Sequence, residues 1–257
     1  MKYMSLEGEV IKTKGKHKES SLLVIEDKHI SDGNFSEVSS LDTVLQRGER
    51  GKSVHLVRKR YRHGLDPTTP HKWREHAVTV YAYLKDIGLQ SIPKTFRPYD
   101  EDEILMTDFT VGGKMALAAN PLGEPRVEKI KSLVNFEKMV LEIAPDILCA
   151  ARRGVNLSSD CFFLVVPRGG ENVPGKMVTG DIENITVTGD GKQPLVGDDF
   201  RVLLNRNIAE FSNFFPHFLK VQQVFSDTNL YGQYAEQARK ILRGYAADDL
   251  GLAPQDI

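Results

Sequence analysis

The chain has 257 residues, 40% apolar and 27% charged, enough for one large domain or two small lobes; this excludes a mini-protein, a disordered tail and a fibre. Its 34 Lys and Arg nearly cancel 35 Asp and Glu, so no whole-molecule field draws it to nucleic acid or an acidic membrane. Cys149 and Cys161 lack the CxxC spacing of a zinc site and do not suggest a disulfide framework.

No apolar run approaches the roughly 20 residues needed to cross a bilayer. The opening MKYMSLEGEV carries charge where a signal peptide would carry an apolar core. A cytoplasmic protein with no membrane span is therefore expected.

The first third alternates as strands do, in EGEVIKTK, SSLLVIED and SVHLVRKRY, and predicts an antiparallel sheet. Thr69 and Pro70 then open a helix on which Trp73, Ala77, Val80, Tyr81 and Leu84 recur at helical spacing until Gly88. An extended IPKTFRPY leads over the acidic turn DEDE into the apolar strand ILMTDF, and Gly112 and Gly113 close it. Beyond residue 110 the pattern predicts helices at KMALAAN and from Val127 to Arg153, then two short strands, FFLVV and KMVTGDI. Two helices complete the chain, with Pro216 able to kink or break the first. The reading is α+β, with one section at 1–110 and a mainly helical one at 111–257.

Two segments carry candidate chemistry. SDGNFSEV, at 31–38, is a glycine-bearing turn between strand-like runs, where backbone N–H groups can approach phosphate and the following Val38 can cover a base. On its own it also reads as an ordinary hairpin turn. In SVHLVRKRY, alternation places Val54, Leu56 and Arg58 on one side and Val57 and Lys59 on the other. The run Arg58, Lys59, Arg60 and Arg62 reads as a solvated strand end, and its position after the glycine turn singles out Lys59.

A glycine turn, a lysine strand, one long helix and an apolar strand ending in Gly-Gly resemble, in that order, the protein-kinase-like fold. The likeness spans most of the chain. It implies two lobes, a β-rich one at 1–110 and a short helical one at 111–257, and ATP with Mg2+ as cofactors. Gly33 and Phe35 would lie over the phosphates, Val38 against the adenine, and Lys59 on the phosphates. Met106 would guard the back of the pocket, with Asp108 at the hinge. ILCAARRGV is similar to the helix before the catalytic loop, FFLVV to the strand after it, and MVTGDIEN to the segment carrying the metal-binding aspartate, here Asp181.

The departures shape the functional reading. Ser31 and Ser36 replace glycines of the loop, and Ala77 stands where the helix should offer a glutamate, Glu75 being on nearly the opposite face. GVNLSSDCFFLVV lacks the His-Arg-Asp triplet. Ser158 or Ser159 falls in the base position, Phe163 where an Asn is expected, and Asp160 is the carboxylate in reach to orient an acceptor hydroxyl. Glu183 replaces the glycine after Asp181, and Asn184 offers a second hard oxygen for magnesium.

With 76 residues after Asp181 and no Ala-Pro-Glu segment, a peptide platform is not expected. A hydroxyl-bearing small molecule or glycolipid suits better as acceptor, and no nucleic acid is expected. The resemblance thus implies an atypical phosphotransferase, with a pseudokinase-type scaffold as the alternative. The histidines show no zinc spacing, and Phe211, Phe214, Phe215 and Phe218 read as core.

Overall fold

The computed structural model describes residues 10–13, 20–32, 36–47, 50–62, 69–118, 133–170, 172–188, 193–222, 228–254 and 257. The protein is α+β. Six strands form one antiparallel sheet: β1 (Val10–Thr13), β2 (Ser20–Asp32), β3 (Ser36–Arg47), β4 (Arg50–Tyr61), β5 (Phe96–Asp100) and β6 (Glu103–Thr107), in the order β1-β2-β3-β4-β6-β5. Four helices stand among the described residues: α1 (Thr69–Asp86), α2 (Phe136–Arg152), α3 (Gly197–Gln222) and α4 (Thr228–Leu250). None is long and apolar enough to cross a membrane among the described residues.

The chain divides into two compact units, Met1–Val78 with Lys94–Val111, and Thr79–Pro93 with Gly112–Ile257. The first unit is built on the large sheet. One face carries the buried Leu41, Leu56 and Leu105, with Val54 and Tyr99 packed against them. The three leucines come from three adjacent strands because antiparallel register sets Leu41 opposite Leu56 and alternation keeps every second side chain on that face, and Tyr99 joins them from β5. β5 is an edge strand, and Pro98 within it lacks the N–H that a further strand would need. β3 escapes the alternation signal because Ser36, Ser39, Ser40 and Asp42 interrupt its apolar positions.

The second unit holds two smaller sheets. In one, β9 (Phe162–Pro167) lies between β7 (Lys114–Ala118) and β10 (Lys176–Thr179). In the other, β8 (Val155–Asn156) pairs with β11 (Thr186–Val187). KMALA was expected in a helix and is strand β7: pairing of Lys114–Ala118 along β9 buries Leu117 and overrides the helix preference of Ala, Leu and Met. Helix α2 starts at Phe136 rather than near Val127, although 127–132 lie outside the described residues. Asn135 stands before it, its side chain bonded in both directions to the Gly175 backbone at 2.7 and 2.8 Å.

The core of this unit is aromatic. Phe211 and Phe215 of α3 meet edge to face at 5.8 Å, Phe214 meets Phe215 at 5.4 Å, and Phe162 of β9 meets Phe211 at 5.2 Å. The expected aromatic stripe is therefore core for these three rings of α3, while the Phe218 side chain lies outside the described residues. α3 continues through Pro216 to Gln222 without a break.

Candidate functional site

In the first unit the candidate residues gather on the sheet face opposite the leucine cluster. β4 is central, and its register sets Lys59 between Val38 of β3 and Ile104 of β6, and Val57 between Ser40 and Met106. Directly opposed residues of antiparallel strands share a face, so Val38, Ser40, Val57, Lys59 and Met106 form one continuous patch. Lys59 is 6% exposed and Met106 8%, whereas Val38, Ser40 and Val57 are only half-buried. The Lys59 ammonium stands 5.9 Å from the Tyr61 ring centroid. The patch thus sets a buried lysine beside the half-exposed apolar side chains of Val38 and Val57. Gly33 and Phe35 lie outside the described residues.

Asp108 follows this patch at the end of β6, and its carboxylate is engaged within the protein. It accepts the Thr110 N–H at 2.7 Å, the Thr110 hydroxyl at 2.6 Å and the Ser40 hydroxyl at 3.4 Å. The side chain thus builds the turn that ends β6 at Thr107, in the manner of aspartates that bond backbone two residues on. Arg58 and Arg60 of the basic run are paired with Asp27 and Glu103. Those cations are spent inside the sheet. Glu103 is nearly buried, and burial pushes its carboxyl up while Arg60 pulls it back in part. Glu75 is exposed and paired with Arg74 in the second turn of α1, and Ala77 is fully buried.

The second unit brings two loops side by side. Because β8 pairs with β11 and β9 pairs with β10, the β8–β9 and β10–β11 connections are neighbours. The Gly180 N–H donates to the Cys161 carbonyl at 2.9 Å and the Asp181 N–H to the same oxygen at 3.4 Å. Asp160 and Asp181 therefore flank Cys161. Burial first, then the charge of Asp181, with smaller contributions from Asp160 and Glu210, raise this thiol well above its ordinary range, against a backbone bond at Ser158. Both cysteines are free thiols.

Asp160 is exposed, and its carboxylate makes no hydrogen bond to the described residues. Capping of its one-turn 3-10 segment, Ser159–Cys161, falls to Ser158, whose hydroxyl accepts the Asp160 N–H at 3.3 Å. Asp181 precedes a second such turn, Ile182–Asn184, with no capping bond from its side chain, and its carbonyl accepts the Asn184 N–H at 3.2 Å. Asp181 stands at the N-cap of this turn and Asn184 is its last residue, so the segment carries two hard oxygen donors. Among the described residues no group of three or more His, Cys, Asp or Glu stands at metal-holding spacing.

Residues absent from the sequence reading hold these loops. Asn207 of α3, fully buried, accepts the Leu157 N–H and donates to the Val155 carbonyl, both at 2.9 Å. Glu210, one turn on, accepts the Ser159 N–H at 3.0 Å. A signal for Asn207 was present: in VLLNRNIAEF it is a polar residue at an apolar position of the helical stripe. Gly154 is also fixed, at φ +70°, and a methyl group on its Cα would stand only 2.7 Å from the Thr188 carbonyl oxygen, a conformation and a space that favour glycine.

No protein-family model matches the chain, and no curated protein is similar to it.

Proposed function

We propose that the protein is an atypical ATP-dependent phosphotransferase of the two-lobed protein-kinase-like fold. The observation that carries the reading is the sheet patch, in which a buried lysine lies directly across from the valine that follows the glycine turn. The element order supports it: a hairpin, a lysine strand, a helix and a strand pair whose second member returns beside the lysine strand. So does the placement of Asp160 and Asp181 on adjoining loops of the second unit.

Each residue then has a task. Val38 and Val57 cover the adenine, with Met106 at the back of the pocket, and Lys59 neutralises phosphate charge. Asp108 shapes the strand end. Asp181 and Asn184 would hold Mg2+, which when bound neutralises the charge that develops on the phosphates. Asp160 orients the acceptor hydroxyl and takes its proton, a task that needs only a carboxylate free to reach that hydroxyl. Only residues 188–196 separate β11 from α3, too little chain to build a peptide platform, which favours a small-molecule or glycolipid acceptor.

A second reading, a nucleotide-binding scaffold without catalysis, is favoured by Phe163. It occupies a half-buried place in β9, opposite Val178 and Ala118, where the reaction calls for a metal-binding amide.

Thermal unfolding with ATP and Mg2+ tests nucleotide binding through linkage. A shift lost in Asp181→Ala and in Lys59→Met is expected. No shift at millimolar MgATP would end the reading. Hydrolysis abolished by Asp160→Asn favours the enzyme, whereas binding without turnover favours the scaffold.

A further inference from the structure

One buried carboxylate has no part in the proposed chemistry. Asp146 lies on α2 at 6% exposure, and its oxygens accept the backbone N–H groups of Gln90, at 2.9 and 3.0 Å, and Ser91, at 2.6 Å. Ser91 is joined twice to Thr179. The Thr179 N–H donates to the Ser91 carbonyl at 2.9 Å, and the two hydroxyls stand 3.0 Å apart. Both residues are buried, Thr179 almost completely. Thr179 is the last residue of β10, two before Asp181, and the Gly180 N–H between them bonds the Cys161 carbonyl.

We propose that Asp146 is a positioning residue for Asp181, acting through Ser91 and Thr179. The inference rests on the reading of Asp181 as a magnesium ligand. β10 is only four residues long, and its last register pair is Thr179 with Phe162. Past that pair the chain leaves the sheet, so the direction in which Asp181 emerges depends on the Cys161 carbonyl that takes the Gly180 and Asp181 N–H groups and, one residue earlier, on what holds Thr179. The holding group is the turn at 90–91, and that turn is fixed by a charged acceptor on a helix with ten buried residues. Bonds from backbone N–H to a carboxylate are roughly twice as strong as neutral ones. Packing alone would be served by an apolar side chain at 146. The carboxylate adds a fixed direction, carried by Ser91 to the end of β10 and so to the metal-binding loop.

The test uses the full chain with Asp146→Asn and with Thr179→Val, which keeps the shape of threonine and removes its hydroxyl. The first measurement is the Mg2+ concentration giving half-maximal ATP binding, well below the melting temperature. Asp146 reaches the metal-binding loop through two residues, and substitutions along such a network typically change coupling about 2- to 30-fold, so the midpoint is expected to rise by about that much in Asp146→Asn and less in Thr179→Val. Saturating Mg2+ should restore binding in both. The second measurement, made without nucleotide or metal, is amide hydrogen exchange, expected to accelerate at 179–181 while α2 and α3 keep their protection. A purely structural role would lower the melting temperature and leave the midpoint unchanged, and that result in a folded variant overturns the proposal. Should Asp146→Asn fail to fold, Thr179→Val decides alone. Wild-type protein whose ATP binding ignores Mg2+ would remove the reading of Asp181 and this inference together, whereas a wild-type dependence shared unchanged by both variants removes the inference only.

Discussion

The large sheet and the paired loops around Cys161 place candidate residues by different physical means. On the sheet, Val38, Val57, Lys59 and Met106 share a face because strand register leaves them no other place. A one-residue slip of any one of these strands would send its members of the patch to the leucine side. In the loops no ladder reaches Asp160 or Asp181, and position depends on three side chains, the buried Asn207 and Asp146 and the half-buried Glu210, that answer backbone groups which strands would otherwise satisfy. Substitutions should therefore separate function from stability differently in the two regions.

The largest effect is expected at the loop tip. Asp160 is exposed, with its carboxylate unbonded to the described residues, so Asp160→Asn should leave stability within about 0.5 kcal/mol. It should nonetheless lower phosphoryl transfer or hydrolysis by about 10²- to 10⁴-fold, the usual contribution of a general base. Steady-state turnover beside a melting curve checks both, and unchanged turnover would remove Asp160 from the chemistry.

Beneath that tip the balance reverses. Asn207→Leu fills the space of the side chain but strands the Leu157 N–H and the Val155 carbonyl. At about 1–3 kcal/mol for each of the two buried orphans, a loss of about 2–6 kcal/mol is expected, measured by denaturant unfolding. A loss below about 0.5 kcal/mol would show that the loop is held by its own turns rather than from α3.

On the sheet, Lys59→Met should weaken MgATP binding by about tenfold or more, one charge-assisted contact being worth about 1.5–3 kcal/mol. Methionine keeps the apolar stem between Val38 and Ile104, so packing on that face is retained and a loss of stability reports the contacts of the ammonium itself. Calorimetric titration and thermal unfolding give the two numbers. A variant that unfolds early would mean the lysine is structural, and the contrast with Asn207 would disappear.

The smallest effect belongs to Glu103, on the leucine face of the same sheet. Burial raises its carboxyl above the ordinary value, so the folded state binds this proton more tightly than the unfolded chain does. The stabilising contribution is fully present below the unfolded value and is lost as pH rises through the raised folded one. Glu103→Gln, which does not titrate, should therefore gain on the wild type as pH is raised from about 4 towards 7. Denaturant midpoints of the two proteins across that range check the sign, and the opposite trend would mean that Arg60 outweighs burial.

Much of the sheet was legible from local pattern. Alternation in SVHLVRKRY separates Lys59 from Leu56, Thr69 and Pro70 open α1, and Asp181 follows an apolar run short enough to be a strand. Asp108 was legible as a strand end but not as a side chain tied to Thr110 and Ser40, since only the folded register brings Ser40 beside it. KMALA was misleading for the same reason: five residues of helix-forming type became a strand once β9 offered a partner.

Residue types and their order along the chain determined what is local: where strands and helices start, which strand face a residue occupies, and which groups carry charge. Tertiary structure alone decided which distant polar groups meet. Asn207 meets Leu157 fifty residues away, and Ser91 meets Thr179 across eighty-eight. Such pairings leave no periodic trace in either segment, because a buried N–H needs one well-aimed acceptor and places no demand on where in the chain that acceptor comes from.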